Sequence, residues 1–316
     1  MDETRVPIYL ITGFLESGKT SFLNFTLQQD YFSIEGKTLL ILCEEGEEEY
    51  DLEELKKANT VVEIIESEEE LTPERLAAMD IMYQPERVIM EYNGMWLVSK
   101  FEQMEKPEGW GIEQHITCVD ASTFQVYMAN MKSIFMDMIR NADMVIFNRC
   151  EEEDPLPAYR RSIKVVNQSA EIIFEDEEGE IGGLFEDEMP FDLNAPVIEI
   201  LPEDYGIWFV DSMDHPDRYV GKTIRFKARA LKPRGMGSKF FVPGRTAMTC
   251  CADDTTFLGY VCKSAFAPKI KEGEWVQVTA KVAFEKRMEY QGEGIVLYAD
   301  HVEPCEPLKD EMVYFN

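Results

Sequence analysis

The chain of 316 residues contains no run of 18 or more apolar residues, so the sequence offers no candidate for a membrane-spanning helix. Its first residues, "MDETRVPIYL", are acidic and only briefly apolar, which does not fit a secretory signal. With no export signal, a cytoplasmic location is expected. The seven cysteines are then expected as thiols or metal ligands rather than disulfides. Basic residues are scarce: 31 Lys/Arg stand against 61 Asp/Glu, for a net charge of -30. The shortage is uneven, with 43 acids and 15 bases in residues 1–195 but 18 acids and 16 bases in residues 196–316. Binding to nucleic acid or anionic membranes depends on clustered Lys/Arg, so neither is an expected partner. The same surface would concentrate divalent cations. No internal repeat is present.

The length suits two domains, divided here at residues 1–195 and 196–316. The first alternates β-rich runs with helical stretches. Strands are expected at 6–12, 37–43, 60–65, 87–92, 114–120, 142–148 and 170–175. Helices are expected at 18–29, 73–83, 122–140 and 155–165. Near-continuous apolar strands between helices predict an α/β fold with a largely parallel sheet covered on both faces. The stretch "EDEEGEIGGLFEDEMPFDLNAP" is acidic and punctuated by Gly and Pro, and reads as a connector. Beyond it, "TIRFKARALK", "KFFVPGRTAMTCC", "TFLGYVCKSA", "EWVQVTAKVAFE" and "GIVLYADHVEP" alternate with period two. A small all-β domain follows, an OB-like barrel of about five strands.

"GFLESGKT", residues 13–20, lies between the first strand and the first helix. In that context the Gly-x4-Gly-Lys-Thr pattern reads as a phosphate-binding loop. Gly13 and Gly18 let backbone N–H groups turn inward, with Glu16 and Ser17 completing the loop. The following helix begins at its positive end. Lys19 would reach the β- and γ-phosphates, Thr20 would offer its hydroxyl to Mg2+, and Ser21 is a further candidate nucleotide-binding residue. Farther on, Asn148-Arg149-Cys150-Glu151 ends a strand where guanine-binding proteins carry Asn-Lys-x-Asp. Asn148 would support the loop and touch the base, Arg149 would stack over it, and Glu151 would accept from its ring and amino N–H donors. An acidic surface loop is the competing reading of this tetrapeptide. Glu91 ends another strand and Gly94 follows in "EYNG", where a γ-phosphate-sensing loop belongs, although such a turn is also common without function.

In this order the elements resemble the CobW-type GTPases, a P-loop class that includes nickel chaperones of hydrogenase and urease maturation. The resemblance rests on "ITGFLESGKTSFLNFTL", "LLILCEEGEEEYD", "VIMEYNGM", "CVDASTF", "IRNADMVIFNRCE" and "VVNQSAEII". It implies a GTP-binding, Mg2+-dependent GTPase of low activity, coupled to handling a transition metal such as Zn2+. It implies Lys19, Glu91 and Gly94 as catalytic positions, Thr20, Glu44 and Glu91 around Mg2+, and Asn167 where the last loop passes the base. Two departures stand out. Cys43 replaces an Asn of the Asn-Glu-x-Gly-Glu switch, and "ESEEEL", with Glu68, Glu69 and Glu70, replaces the hallmark Cys-x-Cys-Cys. Thiolates select softer ions than carboxylates do, so the first domain is expected to bind a different metal, to bind weakly through these carboxylates, or to have lost the site, with loss the leading expectation.

The second half resembles an uncharacterised β domain of small bacterial proteins that accompany a permease-like subunit. The carrying stretches are "TAMTCCADD", "GYVCKSA", "EWVQVTAKV" and "ADHVEPCEP". Cys250 and Cys251 would face opposite sides of a regular strand, so they could share an ion only at a bulge or turn. Cys262, with His301 and Cys305, could complete a thiolate-rich zinc site. Burial of these cysteines as small hydrophobes is the competing reading. The leading expectation is a slow GTPase in metal homeostasis or delivery. The alternatives are a non-hydrolysing nucleotide-binding adaptor whose β domain docks a permease component, and, less favoured, a small-molecule kinase or ligase on the same scaffold. A metal-receiving protein is an expected partner, and a homo-oligomer is compatible with the sequence.

Overall fold

A computed structural model describes residues 6–181, 189–248 and 255–313. Contacts divide the chain into two compact units, one of Met1–Leu156 with Asn167–Leu184 and one of Pro157–Val166 with Phe185–Asn316.

The first unit contains β1 (Val6–Thr12), α1 (Lys19–Leu27), β2 (Thr38–Leu42), α2 (Leu52–Lys57), β3 (Thr60–Ile64), α3 (Pro73–Tyr83), β4 (Arg87–Glu91), α4 (Val98–Gln103), β5 (Trp110–Asp120), α5 (Ala121–Asn130), α6 (Lys132–Ile139), β6 (Met144–Asn148), β7 (Glu171–Asp176) and β8 (Gly179–Glu180). The helix between β6 and β7, α7 (Leu156–Lys164), is counted almost wholly with the second unit. The strands form one sheet in the order β3-β2-β4-β1-β5-β6-β7-β8. All pairings among the first seven strands are parallel, and only β8 runs antiparallel, against β7. This is the expected largely parallel α/β fold.

Side chains alternate across the sheet. Ile8, Leu10, Val88 and Met90 share one side of the pleat, while Ile11, Ile89, Ile116 and Ile146 share the other with Leu23 of α1 and Leu55 of α2. Both sets are buried, which explains why the strands read as unbroken apolar runs rather than alternating ones. Local sequence sets the helix starts. Thr72 caps α3 by accepting from the Arg75 amide at 3.2 Å, with Pro73 in the first turn, and Asp120 caps α5 by accepting from the Ser122 amide. The stretch 122–140, read as one helix, is two, because Met131 leaves helical geometry at φ -132°. The six-residue α2 and α4 are too short to show a period in sequence. Met136 and Met138 of α6 are buried, consistent with core packing.

The second unit holds β9 (Ile198–Glu199), α8 (Tyr205–Asp214), β10 (Thr223–Leu231), β11 (Phe240–Met248), β12 (Thr255–Gly259), β13 (Val261–Ser264), β14 (Trp275–Arg287), β15 (Gly292–Pro304) and β16 (Met312–Val313). Five of these close a barrel, since β11-β13-β15-β14-β10 is completed by pairing of β10 with β11. The β13–β15 contact is parallel and the other four are antiparallel, which is the OB arrangement. Phe226, Ala228, Val278, Ala280, Leu297 and Ala299 line its core by strict alternation. The helix α8, absent from the sequence reading, buries Tyr205, Trp208 and Phe209 in the same core. It carries apolar residues around most of its circumference and so gives no amphipathic signal.

Candidate phosphate and base site

The loop after β1 is shaped by backbone conformations that few residues adopt. Gly13 has φ 141°, and a side chain there would strike the Cys118 carbonyl oxygen at 2.3 Å. Gly18 has φ 91° and lies so close to Asn148 that a Cβ would come within 2.5 Å of its Nδ2. These two glycines let the loop tuck beneath β5 and β6 while its amides turn inward. Glu16 also takes a positive φ, 62°.

Lys19 is buried, and its Nζ donates to the carbonyls of Gly13 at 3.0 Å and Phe14 at 2.9 Å and to Glu44 Oε2 at 2.5 Å. The other Glu44 oxygen accepts from the Gly94 amide at 3.4 Å. An ammonium and a backbone N–H therefore grip one carboxylate from two sides, the donor set that a phosphate would use. Gly94 is forced by contact: a Cβ there would lie 2.5 Å from the Gly13 oxygen and 2.7 Å from Phe14 Cα. The acidic segment continues over the loop. Glu48 accepts from Ser21 Oγ and from Asn24 Nδ2 at 3.1 Å, and the Glu47 amide donates to Glu16 at 3.0 Å. The space left beside Lys19 is about 30 Å³, room for a water but not for a polyphosphate. Residues 45–49 are all exposed, so their displacement would uncover little core.

Thr20 Oγ1 donates to Glu91 Oε1 at 2.9 Å, and the Tyr50 hydroxyl donates to Glu91 Oε2. Burial pushes the Glu91 carboxyl up, against the Tyr50 and Thr20 hydrogen bonds and the Lys19 charge, which pull it down. Burial, reinforced by Glu91, pushes the Tyr50 phenol up and keeps it a donor. Thr20 and Glu91 present hard oxygens side by side, a donor chemistry that fits Mg2+. Burial raises the Cys43 thiol to about 12, so the residue in place of the family's Asn is an uncharged core group. Its carbonyl accepts from Asn93 Nδ2 at 3.1 Å, which ties the β2 end to the Gly94 turn.

At the other end of the loop, Asn148 Nδ2 donates to the Ser17 carbonyl at 2.8 Å, while its buried Oδ1 has no partner. An orphaned acceptor beside the loop fits a ligand N–H. Arg149, at φ 54°, lays its guanidinium across the loop, donating to the Glu16 carbonyl at 2.9 Å and to Asp120. Asn148, Arg149 and Glu151 line one end of a cavity of about 1110 Å³ that also reaches Gly18 and Ser21. Asn167 does not line it. It is buried, and its amide bonds the Ile139 and Ala142 carbonyls and caps Ser169 and Ala170, so its side chain is spent on holding the chain turn before β7. The Asn167 side chain, expected where the last loop passes the base, is thus committed to backbone groups and Ser169. Ser17 Oγ is also buried without a partner.

Tyr50, Glu48 and Asp120 escaped the sequence reading. Glu48 and Tyr50 lie in "LLILCEEGEEEYD" and Asp120 in "CVDASTF", stretches that carry the family resemblance without assigning these side chains a role. Among the described residues no group of three or more His, Cys, Asp or Glu is placed to hold a metal ion. Glu68, Glu69 and Glu70 form a 3-10 turn, with Glu68 paired to Lys100 at 2.8 Å. Cys250 and Cys251 lie outside the described residues. Cys262 is buried in the barrel core opposite Leu297, with its thiol pushed up by burial, and His301 pairs instead with Glu303 at 3.3 Å. The site predicted around Cys262 is not formed by the described residues, since inward-facing core positions keep it from His301 on the exposed face. No helix among the described residues is long and apolar enough to cross a membrane.

The chain is similar in structure to the hydrogenase maturation factor HypB of Archaeoglobus fulgidus, at 17% identity and TM-score 0.40, over 55% of this chain and 83% of that one. It is also similar to the Zn(II)-bound YjiA GTPase of E. coli, at 16% identity and TM-score 0.43, over 82% of this chain and 89% of that one. No curated protein matches it. Residues 183–315 match the DUF1980 C-terminal domain. Residues 7–174, just over half of the chain, match the CobW/HypB/UreG nucleotide-binding domain, and the chain belongs to that family.

Proposed function

We propose that the protein binds GTP at the loop of residues 13–20, hydrolyses it slowly, and uses the exchange of its own acidic segment for nucleotide as a switch in metal homeostasis. The observation that carries this reading is the grip of Lys19 and the Gly94 amide on Glu44. The protein holds a carboxylate where a phosphate would be held, so an incoming nucleotide must displace it. In the nucleotide-bound state Lys19 and the loop amides would bind the phosphates, Thr20 and Glu91 would hold Mg2+, and Gly94 would meet the terminal phosphate. Magnesium would supply charge neutralisation on the phosphate oxygens. Asn148 and Glu151 would read guanine through the free Oδ1 and the exposed carboxylate. None of the loop contacts supplies an arginine to the terminal phosphate, because Arg149 is tied to Asp120 and Glu16, and slow turnover follows.

The test measures binding and turnover separately. A fluorescent GTP analogue should bind the full chain more tightly than its ATP counterpart, and Lys19→Ala should lose that binding. Phosphate release should be slow yet dependent on Glu91. GTP affinity with no turnover at all favours the adaptor reading, and ATP preference removes the GTPase. We assign the transition metal to the second unit, at Cys250 and Cys251, because the first unit carries carboxylates where the family's thiolates stand. Zinc stoichiometry unchanged in the Cys250→Ser, Cys251→Ser protein would remove that assignment.

A further inference from the structure

The cavity beside the phosphate loop is larger than base recognition requires. At about 1110 Å³ it stands at the upper end of small-molecule sites, and most of its lining residues lie outside the set read as facing the base. The remainder lies over the sheet. Its floor is the face of β1, β5 and β6 that carries Tyr9, Ile11, Ile116, Met144 and Ile146. One wall is aromatic, made by Phe22, Phe25, Tyr31 and Phe32, of which Phe25 is 64% and Tyr31 78% exposed. The opposite rim is acidic throughout, residues 151–153 and 175–178 being Glu or Asp. Among the described residues Arg149 is the only Lys or Arg lining the cavity, and its charge is already matched by Asp120.

Two physical facts select the occupant. Strands lie about 4.8 Å apart, so a floor three strands wide spans about 10 Å, the width of one helix. A helix of that girth fills about 120 Å³ per residue, so the whole cavity, its base-facing end included, corresponds to about nine helical residues and the remainder to fewer. The acidic rim is spread along one side and, among the described residues, gathers into no metal-ligating group. A distributed negative rim beside an apolar floor complements a helix with an apolar stripe flanked by Lys and Arg. We infer that this hollow docks a cationic amphipathic helix of a partner protein, apolar face on β1, β5 and β6 and basic flank on residues 151–153 and 175–178. The inference goes beyond nucleotide binding and does not depend on it.

The test uses the full chain and an 18-residue fluorescein-labelled Leu/Lys peptide designed as an amphipathic helix, read by fluorescence anisotropy. Two comparators have the same length: one shuffles the sequence so that Leu surrounds the helix, and one replaces every Lys by Glu. The amphipathic cationic peptide should bind at least tenfold more tightly than either comparator. Phe25→Ser with Tyr31→Ser should weaken it at least tenfold, and Glu152→Lys with Glu177→Lys should weaken it and flatten its salt dependence. Both pairs are exposed positions, and fluorescent-nucleotide binding reports whether the variants remain folded. Equal binding of the shuffled peptide would assign the effect to the net charge of the whole protein and overturn the inference. Unchanged binding in the Phe25, Tyr31 variant would also overturn it. So would a concentration-dependent dimer in sedimentation that this variant abolishes, because a second copy would then be the occupant. Peptide binding that persists in Lys19→Ala protein keeps this result separate from the nucleotide reading.

Discussion

Replacing Glu44 by Gln should make the protein bind GDP more tightly. In the wild-type chain the Glu44 carboxylate lies 2.5 Å from Lys19 Nζ, with only 3% of the Lys19 side chain and 10% of the Glu44 side chain exposed. At that burial, solvent and salt screen the pair little. A hydrogen bond to a charged group contributes about 1.5–3 kcal/mol, and each 1.4 kcal/mol is about tenfold in affinity. Nucleotide must give up that interaction to gain Lys19, so removing the competing charge should tighten GDP binding by about 10-fold to 100-fold. GDP is the right ligand because it lacks the γ-phosphate that Glu44 and Gly94 would otherwise approach together. The assay is a titration of fluorescent GDP into nucleotide-free protein, with and without Mg2+. Nucleotide-free Glu44→Gln protein should also melt at a lower temperature, because Lys19 loses its counter-charge, and GDP should raise its melting temperature more than it raises that of wild type. GDP affinity equal to or weaker than wild type would refute the claim that Glu44 occupies the phosphate position.

Other expectations follow from the same geometry. Gly94→Ala would place a methyl 2.5 Å from the Gly13 oxygen and 2.7 Å from Phe14 Cα, both backbone, so the loop must shift. Nucleotide binding should fall at least tenfold, and chemical denaturation should show a loss of about 1–3 kcal/mol. Glu151→Ala should reduce the preference for GTP over ATP at least tenfold while leaving ATP binding unchanged, as read by competition against a fluorescent nucleotide. His115 is buried with Nε2 3.0 Å from Thr12 Oγ1, and burial lowers its pKa to about 4. The unfolded chain protonates near the ordinary value of 6.5, so stability is full above that value and declines as pH falls from 6.5 to about 4. The slope from this one residue is at most about 1.4 kcal/mol per pH unit, and His115→Gln should remove that component from urea titrations at pH 7 and pH 5.

Much of the fold was legible because its strands are determined by local composition. Residues 6–11, 88–90 and 144–147 are apolar on both faces, the pattern of a parallel sheet covered on both sides. The phosphate loop was legible for a similar reason, since Gly13 and Gly18 occupy backbone conformations that few other residues adopt, and their spacing survives in sequence. The alternation of β10, β14 and β15 announced the barrel in the same way. Helix α8 was not legible, because a helix buried around most of its surface has no polar face to give it a period.

What the sequence determined by itself was therefore the set of local pieces: the strands, the turn chemistry of residues 13–20, and the charge imbalance that makes residues 1–195 acidic. What only the tertiary structure decided was which distant groups meet. Nothing in the order of residues says that Glu44 lands on Lys19, that Tyr50 lands on Glu91, or that Asn167 turns into the core. Nor does it say that a cavity opens beside Asn148 and Arg149. Those contacts depend on how parallel strands are ordered in the sheet, with β4 and β5 flanking β1, and strand order is a long-range choice that no local pattern encodes.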